Sequence, residues 1–569
     1  MPNMRLVLWG VLAALLFLGY QQWQLDYGKP PVSTVIEGGA SAAKPASSLA
    51  DSEIDSHPAS SAASAASAPP TPAAAPAAAD NEAAAPSSAG GALLHVITDV
   101  LDVQINLKGG ELDHADLLQY PLEKNKPNTP VTLLTREPPS ELYLLQTGLK
   151  DLSGQAAPSR FALFSSAAAS YQLEPGANEL RVPLSWSEGG LTVVKTFVFR
   201  RGAYGIDVQY DIKNDGEAAR KLAAEASIVR HWVHPSRSYF NVETYSFKGP
   251  AVYDGSKSKD LNVESTEDSK YEAGITNGWM ASLQHQFVSA VVPPAGEVYQ
   301  YKLTVQGNEY RLSATGPEFS VAPGKSAVYK EQLFVGPKLQ SQLTAFNRNL
   351  ERTVDFGLLT ILAQPLFTGL NFVHKLVGNW GWAIIIVTAL IKLLFYPLSQ
   401  ASGRSMARMR AVQPRLKQIQ ETFKDDREKL GRAMMDLYKK EKINPLAGCL
   451  PMVVQIPVFL SYYRVLLESV EMRQAPFMLW ISDLSSRDPY FVLPLFMGAA
   501  MFAQFKLNPT SPDPMQAKVM QFMPLVMTGM MAWFPSGLVL YWLTNTVLSI
   551  LQQWRINQVV ETEAKKRRN

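Results

Sequence analysis

From Trp380 onward the chain runs through long apolar stretches broken by short polar ones: Trp380 to Leu398, Leu446 to Val470, Tyr490 to Leu507, Val519 to Phe534 and Gly537 to Gln553. Stretches of that length suit helices that satisfy their backbone groups internally while their side chains meet lipid. The first holds about 19 residues, roughly 28 Å of helix. One more apolar run, Leu6 to Tyr20, follows Arg5. It reads as a cleaved secretory signal or as an uncleaved anchor. A cleaved signal ends on small residues, whereas this run ends Phe17-Leu18-Gly19-Tyr20-Gln21-Gln22-Trp23, so the anchor is expected, with Tyr20 and Trp23 at the interface. The mean hydropathy of −0.04 hides this contrast between apolar ends and a polar middle.

Basic residues orient the spans, because loops rich in Lys and Arg stay in the cytoplasm. The segment Ser399 to Asn444 carries Arg404, Arg408, Arg410, Arg415 and Lys417 among a dozen basic residues, and the chain closes on Lys565-Lys566-Arg567-Arg568. Both are expected to be cytoplasmic. The loop after Val470 holds Arg473 and Arg487 against Glu471, Asp483 and Asp488, which suits the outer side. The basic segment reads as a helical hairpin. Gly403 to Phe423 is helical with Pro414 as a kink, and Asp425 with Glu428 resembles a capping box for a second helix ending before Asn444-Pro445. Such a hairpin is either a solvated positive loop or a surface for anionic lipid, RNA or substrate.

The expected domains are an anchor (1–25), an Ala/Ser/Pro-rich linker (26–92), an exported β domain (93–340), an amphipathic interfacial region (341–378), a second span (379–398), the basic hairpin (399–444), four further spans (445–555) and a basic tail (556–569). The linker cannot bury enough apolar surface to offset chain entropy. In the β domain Ile206, Val208, Tyr210 and Ile212 alternate with Asp207, Gln209 and Asp211, the period of a half-buried strand. Leu191 to Phe199, Tyr299 to Val305 and Val321 to Val335 are further strand-like runs, and together they predict a large antiparallel sandwich. His95, His114, His231, His234 and His285 lack metal-ligand spacing, no nucleotide or hydrolase motif is present, and Trp232 and Trp279 read as core. The fold class is therefore a polytopic α-helical membrane protein, a five-span core plus an anchor helix, carrying a large all-β domain. The lone Cys449 allows no internal disulfide and reads as a small buried hydrophobe. A net charge of +3 gives no reason to expect DNA binding, and no cofactor or metal is expected.

Polar residues within the spans are the candidate site. Lys392 sits in an otherwise apolar run, and a charge there faces a cavity or partner unless its stem carries it out to the interface. Thr388, four residues earlier, shares its helix face. On the last span Tyr541, Thr544, Asn545, Ser549 and Gln552 recur at helical spacing, and Gln455 adds a polar group on the span after the hairpin. These groups either bond between helices or line a wet groove. Arg464 and Glu468, near the outer end of their span, are placed to pair. The inner parts of the C-terminal spans hold no Asp or Glu, which argues against an ion-coupled transporter or channel, the main alternative.

The order of motifs resembles a known family. Gly378-Asn379-Trp380-Gly381-Trp382, Tyr396-Pro397-Leu398, Asn444-Pro445-Leu446, Gly448-Cys449-Leu450-Pro451, Gln455-Ile456-Pro457, Gln474-Ala475-Pro476-Phe477, Asp513-Pro514-Met515-Gln516 and Phe534-Pro535-Ser536-Gly537 look like those of the bacterial YidC/Oxa-type membrane insertases. The resemblance implies a bacterial inner-membrane protein, not an enzyme, with a periplasmic β domain. It implies a hydrophilic groove open to cytoplasm and lipid, and as partners nascent membrane proteins, the Sec translocon, the ribosome and lipid. Lys392 falls where the family carries a positive residue, often arginine; Thr388 matches another groove position, and Tyr541-Trp542 stands for an aromatic pair.

Overall fold

In the computed structural model, residues 92–234, 246–346, 348–423, 426–441, 450–507 and 514–568 are described. The anchor, the linker, Cys449 and the Asn444-Pro445 motif lie outside them.

The β domain is built from an 11-stranded and an 8-stranded sheet. The smaller sheet runs Glu179–Glu188, Leu191–Arg200, Gly205–Asn214, Ser326–Pro337, Phe287–Val292, Trp279–Leu283, Gly249–Tyr253, Ser258–Asp260. The larger centres on Arg220–His231, Tyr143–Asp151 and Glu111–Pro121. Pairing is antiparallel except that Leu93–Ile97 runs parallel to Ser170–Gln172. Ile206, Val208, Tyr210 and Ile212 all point into the core, each at most 1% exposed. Inward residues of one sheet meet those of the other. Tyr210 Oη lies 3.0 Å from Thr147 Oγ1. Lys195 reaches across to the carbonyls of Gly110 (2.6 Å) and Thr147 (2.7 Å), and the Glu331 carboxylate acts on it electrostatically. Burial pushes the Lys195 amine down and the Glu331 carboxyl up. The run Val321 to Val335 is not one strand. It divides into Phe319–Val321 and Ser326–Pro337, because Pro323 lacks a donor and Gly324 turns the chain at φ +70°. Trp279 is fully buried and stacks on Tyr253 at 5.5 Å.

The helical part begins with α1 (Gln340–Ala345) and α2 (Thr360–Val377). Helix α2 buries Ala363, Phe367, Leu370 and Val373 and exposes Ile361, Phe372 and Leu376, a two-faced arrangement despite Pro365. Then follow α3 (Trp380–Leu394), α4 (Tyr396–Thr422), α5 (Arg427–Lys440), α6 (Leu450–Glu468), α7 (Val492–Leu507), α8 (Pro514–Met531) and α9 (Ser536–Arg568). The continuous span expected over Trp380 to Leu398 is instead broken at Phe395. Pro397 brings no N–H to the i−4 carbonyl, and its ring crowds that carbonyl, so the helix restarts as α4. Among the described residues no single helix is long and apolar enough to cross a membrane alone; Trp380–Leu394 and Tyr396–Ser405 reach that length together, bent by 64°.

Candidate substrate groove and its closure

Helices α3, α6 and α9 bring the candidate residues together. Lys392, half-buried, donates from Nζ to Ser549 Oγ at 2.7 Å, and Ser549 Oγ donates to the Asn545 carbonyl at 2.7 Å. The amine is therefore held toward α9. Thr388, 1% exposed, donates to the Ile384 carbonyl at 2.6 Å and stands 3.5 Å from the Tyr462 hydroxyl. Tyr462 stacks on Tyr541 with centroids 4.2 Å apart, and Phe459 meets Trp542 edge-on at 4.7 Å. Gln455 and Asn545 are half-buried on the same helices. Ser549 lies eight residues beyond Tyr541, roughly 12 Å along the axis. The site thus has an aromatic layer at one level and polar groups below it.

The aromatic end faces the β domain, as the loops show. Asn379 caps α3 by accepting from the Trp382 amide (3.2 Å), and its Nδ2 donates to the Phe477 carbonyl at 2.9 Å. A β-carbon on Gly381 would overlap the Phe477 ring, so the glycine permits that ring to pack against the first turn. The amide of Gly537 donates to the Leu484 carbonyl (2.9 Å) and Ser536 Oγ to the Asp483 carbonyl (2.7 Å), docking the start of α9 on the same loop. Asp488, 1% exposed, accepts from the Leu493 amide (2.7 Å) and Trp480 Nε1 (3.0 Å), which caps α7. Asp483, whose Oδ1 accepts from the Gln474 amide (3.0 Å) and Ser485 Oγ (2.7 Å), and Asp488 are thus architectural acids, a role the charge count of the loop did not disclose.

The same loop carries the β domain. Arg473 donates to the carbonyls of Pro121 (3.3 Å) and Leu122 (3.2 Å), and Gln474 Nε2 to Pro121 at 3.0 Å. His285 Nε2 donates to the Leu467 carbonyl at 2.8 Å, which fixes its tautomer; burial and Lys338 push its pKa down to about 4. Glu468 does not form the expected pair with Arg464. Its carboxylate accepts from Ser246 Oγ of the β domain at 2.5 Å, because the helix end is covered by that domain.

At the other end, α4 and α5 form a hairpin around Val412 and Leu416, packed with Met409, Met434, Leu437 and Tyr438. The cap of α5 is Asp426, one residue after the expected Asp425, accepting from the Lys429 amide at 3.0 Å. Arg404, Arg408 and Lys417 are exposed; Arg415 pairs with Glu441 at 2.6 Å, and the Arg410 side chain lies outside the described residues.

Two family models match the chain: the 60Kd inner membrane protein over residues 372–564 and the YidC periplasmic domain over residues 93–369. A protein of Thioalkalivibrio sulfidiphilus named membrane protein insertase YidC is 43% identical over 100% of both chains. The chain belongs to the YidC insertase family. A second relative of that name, from Pseudomonas fluorescens, is 47% identical over 83% of this chain and 85% of its own. Among solved structures, an active YidC insertase with its first transmembrane domain resolved covers 81% of this chain and 94% of its own, at 17% identity and a TM-score of 0.36. The YidC-family chain thus has an all-β periplasmic domain and a helical C-terminal region. Among the described residues no group of His, Cys, Asp or Glu is placed to hold a metal ion.

Sequence reasoning missed Phe459 and Tyr462, which read as part of an apolar run. The available signal was spacing: Tyr462 follows Gln455 by two helical turns and so shares its face.

Proposed function

We propose that this chain inserts membrane proteins through a groove formed by α3, α6 and α9, with Lys392 as its charge, and that six spans hold it in the inner membrane with both ends cytoplasmic and the β domain periplasmic. The observation that carries the reading is the Lys392–Ser549 bond at 2.7 Å, below the Tyr462–Tyr541 stack. A charge held between helices costs free energy that a lipid-facing position would recover by snorkelling. The aromatic layer closes the groove on the β-domain side, which supports an insertase over a channel.

A nascent segment meets the basic hairpin of α4 and α5 first. Arg404, Arg408 and Lys417 are among its exposed cations and are offered for ribosome, lipid or substrate contact; Arg415 braces the hairpin through Glu441. The polar end of the segment enters the groove, where Lys392, Gln455 and Asn545 replace part of its hydration and the buried Thr388 packs behind them. Its apolar part moves into lipid along the helix faces, at about 0.8 kcal/mol per CH₂ buried. The membrane potential adds a pull on acidic residues. The resemblance of the ordered motifs supports cooperation with the Sec translocon. No motif supports a nucleotide, so the free energy comes from substrate burial and the potential.

The test is insertion of a one- or two-span protein with an acidic tail into proteoliposomes, scored by protease protection. Lys392→Arg should retain insertion and Lys392→Ala should lose most of it. Protection no better than in empty vesicles for the parent protein would refute the insertase reading.

A further inference from the structure

Gln552 lies one helical turn beyond Ser549 on α9. Its Nε2 is buried and has no hydrogen-bond partner among the described residues. A buried amide donor left unmade is costly, and an acceptor brought beside it by a ligand removes that cost. Residues at i and i+3 share a helix face, which places Gln552 on the face that Lys392 meets through Ser549. Ser549 spends its own proton on the Asn545 carbonyl, so toward Lys392 it acts only as an acceptor. The ammonium has three donors and gives one to Ser549, which leaves two.

We propose that Lys392 and Gln552 together form a two-point site for a carboxylate of the entering segment, with Ser549 as the positioning residue that aims the amine. The proposal rests on the groove reading above. One carboxylate oxygen takes an N–H of Lys392 Nζ, and the other takes Nε2 of Gln552. A lysine alone is a point charge and selects poorly among anions; a second donor on a neighbouring helix adds direction. Gln552 is thus a specificity-determining residue for acidic segments. It offers a neutral segment no charge-assisted bond, so the discrimination is between carboxylate and carboxamide at one position.

The test uses the full chain in phosphatidylethanolamine and phosphatidylglycerol vesicles, with a single-span substrate carrying Asp in its translocated tail and a twin carrying Asn. Protease-protected yield is read for the parent, Gln552→Met, Gln552→Glu, Lys392→Ala and the Lys392→Arg/Gln552→Met double variant. Gln552→Met should lower the Asp-to-Asn insertion ratio about tenfold, and Gln552→Glu, which keeps the shape and adds a repelling charge, should lower it further. The double variant should recover most of the ratio, because a guanidinium brings both donors itself. An unchanged ratio in both Gln552 variants, while Lys392→Ala abolishes it, overturns the two-point site and leaves the groove reading standing. An unchanged ratio in Lys392→Ala overturns both.

Discussion

The Phe477 ring occupies the space where Gly381 would carry a β-carbon, and the backbone there is helical, so the requirement is room alone. Gly381→Ala should cost about 1–3 kcal/mol, the usual range for overpacking. Thermal unfolding in detergent should show it, and Phe477→Leu in the same chain should return part of the loss, as a double-mutant cycle would register. Glu471 presents a different residue-scale problem. It is half-buried beside the β domain, accepts from the Gln340 amide at 3.2 Å through Oε1, and holds Oε2 away from water with no partner among the described residues. Burial raises its pKa from 4.5 to about 7. A raised acid holds its proton more tightly in the folded protein, so its contribution is complete below pH 4.5 and is lost as the pH climbs through about 7. Glu471→Gln keeps the acceptor and removes the charge. Its melting temperature should match the parent near pH 4.5 and exceed it by a few degrees at pH 8. Equal melting temperatures at pH 8 would show that the carboxylate reaches water.

Elements show where local signals stop. The apolar run through Leu398 gave a single helix by hydropathy, yet Pro397 divides it into α3 and α4 at 64°. Replacing that proline with alanine supplies an N–H and removes the ring. Spin labels at Trp382 and Arg404 should then move apart by about 5 Å, the gain from straightening two arms of these lengths at 1.5 Å per residue. An unchanged distance would assign the bend to packing against α9, where a β-carbon on Gly403 would crowd Ile556 at 2.7 Å. The hairpin of α4 and α5 is a pattern that sequence does convey, since Val412 and Leu416 are spaced for one face. Its cap shifts by one residue because adjacent acids, Asp425 and Asp426, are equally good in isolation.

At the scale of the molecule, the loop that follows α6 joins three bodies: the start of α3, the start of α9 and the β domain. Arg473 is its main tie to the β domain, with Gln286 Oε1 at 3.2 Å in addition to Pro121 and Leu122. Lys124 adds bonds to the Gln474 and Ser482 carbonyls from the other side. Arg473→Ala should speed amide exchange at residues 122–124 and around Gln286 by several-fold, while the sheet centre near Tyr210 stays protected. Equal exchange in both forms would mean that apolar packing, not this guanidinium, holds the domain.

Read alone, the chain disclosed its apolar helices, its basic hairpin, the strand alternation around Tyr210 and the identity of Lys392, Thr388, Tyr541, Trp542 and Asn545 as polar or aromatic groups on helices that meet. Those features are written locally, in hydropathy, in a period of two or 3.6 residues, and in charges placed where lipid penalises them. The partner of the Lys392 amine is not written locally either: Ser549, 157 residues later on α9, lies 2.7 Å from it. The same holds for Asn379 with Phe477 and for Glu468 with Ser246. No local rule can name such partners, because they are selected by the packing of helices and sheets whose mutual positions depend on the whole buried surface.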